Sequence, residues 1–224
     1  MSIQRTVEIQ CPSCGAQQQV QLYEVINVQQ EPALKEALMH NQLNRVVCDS
    51  CDLDFRVDLP LLYTDAAQDM MIHWVPESAQ ASREQILEEF DEAIERMNAE
   101  ASEELTLPSV RLVMSRVELV ELIYMLEEGI NQRVIEYIKY SMYTRNSEKL
   151  NPHKQRLLLN VEDSTDEELC FVVQEVETQQ LGEILRYGKA AYHSLLELHE
   201  EDPDEFMELF PGPCISARDV LLDE

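Results

Sequence analysis

Four of the six cysteines stand in two close pairs, Cys11 with Cys14 and Cys48 with Cys51. Two residues between cysteines allow both thiolates of a tight turn to point at one ion, and zinc prefers tetrahedral sulfur and nitrogen ligands. In a reducing compartment, paired cysteines indicate a metal site rather than disulfides. These four cysteines are therefore predicted to bind one zinc ion. Because four thiolates close the coordination shell, the ion is expected to be structural rather than catalytic.

The two cysteine turns differ in the residues that shape them. In the first, Pro12 has a fixed φ and Gly15 accepts a positive φ without steric cost. The second turn, which ends at Asp52, contains neither proline nor glycine, although aspartate tolerates the left-handed conformation. Three other interpretations of the cysteines stay open here: a thiol redox motif, two structural disulfides, and iron in place of zinc. Strand-like residues follow the first pair, whereas a redox motif usually begins a helix.

The segments around the cysteines alternate between apolar and polar residues, as β-strands do. The strands predicted from this pattern cover residues 3–9, 19–28, 54–59 and 70–75. The 33 residues between Cys14 and Cys48 exceed the usual spacing of about 15–20. A helix predicted at about 32–40 accounts for the excess, because it is inserted between the two pairs. Residues 1–80 are therefore predicted to form a zinc-ribbon-like antiparallel β unit with an inserted helix.

Beyond residue 80 the pattern becomes mainly helical. Helical periodicity is predicted over about 83–101, 116–128, 131–144 and 189–200. Gly129 follows the second of these helices and is a typical residue for a helix end. Two short apolar runs, 156–162 and 169–177, predict a β-hairpin. Residues 81–224 are expected to form a helical segment and a small hairpin-and-helix unit, which could pack with the first part as one body. The fold class is α+β.

Several motifs resemble one known family. They are Cys11-Pro12-Ser13-Cys14-Gly15, the pair Cys48 and Cys51, the segment Leu61–Asp65, and the later residues Arg111, Glu121, Gly129, Arg133 and Glu136. Together they are similar to the CpXC domain of bacteria and archaea, over about residues 1–140. The resemblance implies a zinc-binding domain of uncharacterised function and supplies no catalytic residues. One departure concerns the second turn, where Asp49 stands in a position that is usually proline in the family.

The composition excludes some partners. The net charge is −27, from 44 acidic and 17 basic residues. Nucleic acid is bound by lysine and arginine that neutralise phosphates, so direct binding of DNA or RNA is not expected. The same charge disfavours anionic membrane surfaces. The N-terminus lacks the features of a signal peptide, and no apolar run approaches the ~18 residues of a membrane span. We expect a soluble, cytoplasmic protein whose partner is another protein.

The sequence favours a non-enzymatic zinc-binding module that mediates protein interactions, because no catalytic motif accompanies the cysteines. One alternative is an enzyme with a site in the C-terminal half. A deep pocket lined by acids with His153, His193, His199 or Cys214 would favour it. A second alternative is an acidic mimic of nucleic acid, which requires carboxylates in regular rows at the spacing of phosphates.

Overall fold

Strands β1 (Ile3–Gln10) and β2 (Gln17–Asn27) form an antiparallel hairpin, with the first cysteine pair in the connecting turn. A second hairpin, β3 (Arg45–Val47) and β4 (Asp54–Arg56), has the second pair in its turn. Both turns therefore lie at hairpin tips, as the predicted zinc-ribbon-like unit requires. The computed structural model that shows these hairpins describes residues 1–76, 82–100 and 108–223.

A mixed five-stranded sheet contains the first hairpin. Strands β5 (Leu61–Asp65), β6 (Met70–Trp74) and β7 (Ser109–Val113) extend it in the order β1-β2-β5-β6-β7. The β5–β6 pair is antiparallel, whereas the β2–β5 and β6–β7 pairs are parallel. Parallel neighbours need a crossover connection, and these connections contain helices α1 (Pro32–Met39) and α2 (Arg83–Glu100). The sheet is therefore mixed, whereas the sequence predicted an antiparallel unit. The predicted inserted helix is confirmed as α1.

Apolar residues from both hairpins share one small core. Leu22 of β2 and Val46 of β3 are buried together with Leu59, and Val7 and Phe55 pack against them. Burial of side chains of this kind stabilises by about 1.5–3 kcal/mol each. The core therefore holds the second hairpin against the first and brings the two cysteine turns together.

Helix α2 packs its apolar stripe onto the end of the sheet. Ile86 and Phe90 are buried against Val75 and Leu112. Its opposite face exposes Glu84, Glu88, Glu89, Asp91, Glu92 and Glu95. The amphipathic helix predicted from the spacing is thus confirmed, with its acids in solvent.

Contacts divide the chain into two units, Met1–Arg116 and a second that begins at Val117. The boundary predicted at residue 80 lies outside the described residues. Strand β7, which follows that position, belongs to the first unit because it pairs with β6. The α+β class is confirmed, since each unit combines helices with strands.

The second unit combines five helices with a three-stranded sheet within the described residues. The elements are α3 (Arg116–Glu127), α4 (Gln132–Arg145), β8 (Gln155–Asn160), β9 (Glu168–Glu175), β10 (Leu181–Gly188), α5 (Lys189–Glu201), α6 (Asp204–Leu209) and α7 (Ala217–Asp223). The predicted hairpin is confirmed as β8 and β9, whereas β10 is an additional strand that completes the order β10-β9-β8. Gly129 has a φ of +65° just after α3, as its predicted role requires. Among the described residues, no helix is long and apolar enough to span a membrane.

Candidate metal centre

The two cysteine turns have the same backbone geometry. In each, the N–H of the first cysteine, Cys11 or Cys48, donates to the carbonyl oxygen five residues later at 2.9 Å. The N–H of Gly15 donates to Cys11 O at 3.0 Å, and the N–H of Asp52 donates to Cys48 O at 3.0 Å. Gly15 has a φ of +73° and Asp52 a φ of +56°. The second turn therefore adopts the form of the first without its proline and glycine.

The sulfur atoms of the two turns converge. All four Sγ atoms of Cys11, Cys14, Cys48 and Cys51 lie within 4.8 Å of one another. Cys11 Sγ is 3.7 Å from Cys51 Sγ, and Cys14 Sγ is 3.6 Å from Cys48 Sγ. A tetrahedral site with Zn–S bonds of about 2.3 Å has S···S edges of about 3.8 Å. The cluster thus has the dimensions that one tetrahedral metal ion needs, and its donor set could hold such an ion.

Two of the other interpretations, disulfides and a thiol redox motif, fit this geometry less well. None of the six cysteines, all of which lie in the described part of the chain, is in a disulfide. The 3.6 Å and 3.7 Å contacts are far longer than an S–S bond of about 2.05 Å. The first pair is followed by strand β2 rather than by the helix of a typical thiol redox motif. A closed cluster of four sulfurs is instead typical of a structural metal site.

Each turn buries its first cysteine and exposes its second. Cys11 and Cys48 are 2% and 0% exposed, whereas Cys14 and Cys51 are exposed. The backbone N–H of Cys14 lowers the pKa of the Cys11 thiol to about 6. The backbone at Leu53 favours the Cys51 thiolate, but the Cys14, Cys48 and Cys11 sulfurs together with desolvation outweigh it and raise the pKa of Cys51 to about 12. Because a cysteine ligates a metal ion as the thiolate and not as the thiol, binding of an ion here would release protons.

The second unit contains a cavity. It has a volume of about 470 Å³ and lies between the α3–α4 turn, the β8–β9 loop and helix α5. His193 lines it together with Lys189 and Asp166, and Tyr192 contributes an aromatic wall. His193 is one of the four residues that the sequence named for a catalytic pocket.

The other three named residues lie elsewhere in the second unit. His199 packs edge-on against Phe206, with ring centroids 5.0 Å apart. His153 is exposed. Cys214 Sγ donates to Asp219 Oδ2 at 3.3 Å. The cavity lining includes none of these three, so they do not converge with His193 on one site.

A comparison with protein families bears directly on the cysteine turns. The family model described as "CpXC protein" matches residues 9–139, which include all four cysteines and more than half of the 224-residue chain. The chain belongs to the CpXC family. Comparison with curated proteins and with solved structures gave no match.

Residues that carried the CpXC resemblance also build a buried ionic cluster in the second unit. Lys139 Nζ lies 2.7 Å from Glu121 Oε1 and 2.7 Å from Glu136 Oε1, and all three residues are buried. Glu121 accepts the N–H of Leu159 and Glu136 accepts the N–H of Ala217. Burial raises the pKa of Glu121. The cluster connects α3 and α4 to β8 and α7, so these glutamates stabilise the fold.

The sequence did not single out Lys139. The only local signal is its spacing from Glu136, because residues three apart on a helix face each other. The contact with Glu121 joins α4 to a different helix. No periodicity reveals such a contact, because it depends on how the helices pack.

Proposed function

We propose that this CpXC chain is a non-enzymatic protein-interaction module whose first unit is stabilised by one zinc ion at Cys11, Cys14, Cys48 and Cys51. The convergence of four sulfurs from two matching turns supports the metal site. Soft thiolate ligands favour zinc over hard cations, and structural zinc contributes about 10–16 kcal/mol to apparent folding free energy in small domains. Paired cysteines without disulfides suit a reducing compartment, which supports the proposal that the protein is cytoplasmic.

Metal analysis of the untagged protein tests the zinc site. We expect about one equivalent of zinc in the wild type, because four thiolates form one closed site. Cys11→Ser and Cys48→Ser should each lose the metal, since each removes a buried ligand. Cys214→Ser is the matched control, because Cys214 lies in the second unit. Metal-free wild type, or zinc retained by both ligand variants, would contradict the proposal.

In the three-stranded sheet of the second unit, side chains bond to the backbone of one edge strand, β8, whereas β10 forms the opposite edge. This difference supports a protein-binding role. On β8, the N–H of Leu157 donates to Tyr143 Oη at 3.0 Å and the N–H of Leu159 donates to Glu121. These side chains cover one edge of the sheet. Strand β10 ends the other side, and an edge strand presents outward N–H and C=O groups to any chain that can pair with them.

Two large apolar side chains are exposed along β10. Leu181 is 67% exposed and Ile184 is 52% exposed. Leu181 pairs with Gln174 and Ile184 pairs with Val172, so a bulge lies between them. Because Gln174 and Val172 are two residues apart on β9, they point to the same face. Leu181 and Ile184 therefore share a face although they are three residues apart.

The charges around β10 indicate what kind of chain would bind. Glu183 on the strand, Glu177 at one end and Glu167 at the other end are exposed. Arg186 is already paired with Glu168 at 2.8 Å. Acidic residues therefore outnumber basic ones around β10, although Lys189 directly follows the strand. A second copy of this chain, with its charge of −27, would be repelled. We propose that β10 binds an extended segment of another protein in which apolar residues alternate with lysine or arginine, by strand addition.

An eight-residue peptide of alternating valine and lysine is a suitable probe, and its affinity can be measured by fluorescence anisotropy. Ile184→Lys places a like charge against the peptide, so we expect affinity to fall by about tenfold or more. Met207→Lys is the matched control, because Met207 is 49% exposed and lies on α6 of the same unit. It should change affinity by less than about twofold.

Three outcomes would contradict this binding mode. Equal loss in both lysine variants would show that net charge alone attracts the peptide. If a peptide with four lysines followed by four valines bound as tightly as the alternating peptide, binding would not depend on the alternation of apolar and basic residues. A concentration-dependent dimer that Ile184→Lys dissociates would identify the occupant as a second copy.

The cavity beside α5 favours one alternative, an enzyme in the second unit. A volume of about 470 Å³ lies within the usual range of about 300–1,000 Å³ for small-molecule sites. His193 and Asp166 are in its lining and could exchange protons with a substrate. Screening the protein against small-molecule libraries by thermal shift tests this alternative. A ligand that stabilises the wild type but not His193→Ala would support it.

A further inference from the structure

Gln18 joins the two cysteine turns by a pair of hydrogen bonds. It lies on β2, four residues after Cys14. Its Oε1 accepts the N–H of Asp49 at 3.1 Å, and its Nε2 donates to Val47 O at 3.1 Å. Asp49 and Val47 are the two neighbours of the ligand Cys48. One side chain from the first hairpin therefore holds the backbone on both sides of a ligand in the second hairpin.

The orientation of this amide is determined by its partners. A backbone N–H requires an acceptor and a backbone C=O requires a donor, so the reversed amide of Gln18 would lose both bonds. Both distances are within the normal range for N–H···O bonds. Gln18 is thus fully matched to the backbone that it contacts.

The first turn is held by different means. Pro12 fixes φ directly after Cys11. The Gln10 side chain donates to Gly15 O at 3.2 Å, so its bond closes within the same turn. In the second turn, the position equivalent to Pro12 is occupied by Asp49, whose N–H is a donor that proline lacks. The side chain of Gln18 on β2 accepts this N–H. In the second turn, this hydrogen bond therefore replaces the restriction of φ that Pro12 provides in the first.

We propose that Gln18 is a positioning residue for the metal centre: it holds the second cysteine turn in register with the first before the ion binds. This inference rests on the proposed metal site. A ligand set that is already assembled loses less conformational freedom when it binds. Gln18 therefore raises the affinity for the metal and slows its release, without contacting it.

Three variants separate the contributions of the two bonds. Gln18→Met keeps the length of the side chain and removes both bonds. Gln18→Glu keeps an acceptor for the Asp49 N–H and removes the donor to Val47 O. Gln19→Met is the matched control, because Gln19 is the next residue on β2 and is exposed. Zinc affinity is measured by competition with a chromophoric chelator, and zinc release by transfer to EDTA.

Gln18→Met should weaken zinc binding and speed its release by about tenfold or more, since loss of a partner around a metal ligand typically has effects of about 10–100-fold. Gln18→Glu should give an intermediate loss, and Gln19→Met should stay within about twofold. A cobalt-substituted sample adds a spectroscopic measurement. Its thiolate charge-transfer and d–d bands should shift in Gln18→Met, because the second turn relaxes, and stay unchanged in Gln19→Met.

A second substitution, Asp49→Pro, tests whether Gln18 acts by positioning the second cysteine turn or by stabilising the first unit in general. Asp49→Pro restores the constraint of the first turn, so Gln18→Met should lose less affinity in that background than in the wild type. Wild-type protein that binds no metal would overturn the proposed function itself. Wild-type protein that binds zinc, with Gln18→Met and Gln18→Glu equal to it in affinity, release and cobalt spectrum, would overturn the role of Gln18 alone.

Discussion

Asp52 occupies in the second cysteine turn the place that Gly15 occupies in the first. Both residues have a left-handed φ, +56° and +73°, and both N–H groups donate to the carbonyl oxygen of the first cysteine in their turn at 3.0 Å. A glycine adopts this conformation freely, whereas a residue with a Cβ is strained in it. Aspartate is among the residues that tolerate it best, which explains how a turn without glycine forms the same structure.

Substitution of Asp52 should therefore depend on backbone conformation. Asp52→Val places a β-branched residue at positive φ and should lower the free energy of unfolding of the first unit by about 1–2 kcal/mol. Asp52→Gly should fold and bind metal as the wild type does. Fluorescence of Trp74, the single tryptophan, follows unfolding of this unit in urea. Asp49→Val is the control, and an equal loss there would contradict the assigned role of the left-handed φ.

Removal of the buried lysine should destabilise the second unit strongly. Lys139→Met leaves Glu121 and Glu136 buried without their shared cation, and loss of one partner in a buried ion pair costs about 3–5 kcal/mol. Denaturation followed by far-UV circular dichroism measures the loss. Lys149→Met, at an exposed position, should change stability by less than about 0.5 kcal/mol. Similar small effects in both variants would show that the cluster contributes little.

Glu118 should titrate near neutral pH. Burial raises its pKa to about 7, and the attraction of Arg156, 2.9 Å away, opposes that rise only in part. Because the folded pKa is raised above the unfolded value of about 4.5, the stability contribution is complete below pH 4.5 and is lost as the pH rises through 7. The carboxyl ¹³C shift of Glu118 measures its pKa directly. A midpoint near 4.5 would contradict the assigned burial effect.

The wild type should accordingly lose stability relative to Glu118→Gln between pH 5 and pH 8, since glutamine cannot titrate in this range. Urea denaturation of both proteins at several pH values measures the difference. A stability difference that stays constant across this range would show that Glu118 does not titrate in it.

The Tyr143 hydroxyl bonds to the backbone at the edge of β8, and its removal should expose those backbone groups to solvent. Its hydroxyl donates to Gln155 O and accepts the N–H of Leu157, both at 3.0 Å. Tyr143→Phe leaves both backbone groups without this partner, so the free energy of unfolding should fall by about 1–3 kcal/mol. Faster hydrogen exchange at the Leu157 amide, measured by NMR, is the specific signature. Unchanged exchange would contradict this role, and Tyr140→Phe is the control.

Local patterns predicted much of this fold because the features concerned are local. The two cysteine pairs, the alternation of β1 and β2, the stripe of α2 and the glycine after α3 each follow from residues close in the chain. The apolar runs of β8 and β9 predicted their hairpin for the same reason. Membership of the CpXC family was also foreseeable, because the resemblance rests on short local motifs, the first of which is Cys11-Pro12-Ser13-Cys14-Gly15.

Strand β10 was missed for a physical reason. The bulge between Leu181 and Ile184 breaks the two-residue period by which strands are recognised. The parallel pairs β2–β5 and β6–β7 were missed because they join segments separated by whole helices. Gln18 likewise lies 31 residues from Asp49, and one glutamine in a polar stretch gives no signal of its partner.

The most direct test of the central claim is X-ray absorption spectroscopy at the zinc edge of the untagged, purified protein. The four Sγ atoms, all within 4.8 Å of one another, predict a first shell of four sulfur atoms at about 2.3 Å with no nitrogen or oxygen ligand. A shell with fewer sulfurs and added nitrogen or oxygen would contradict the closed four-cysteine site. So would a protein that holds no zinc and has its cysteines in disulfides.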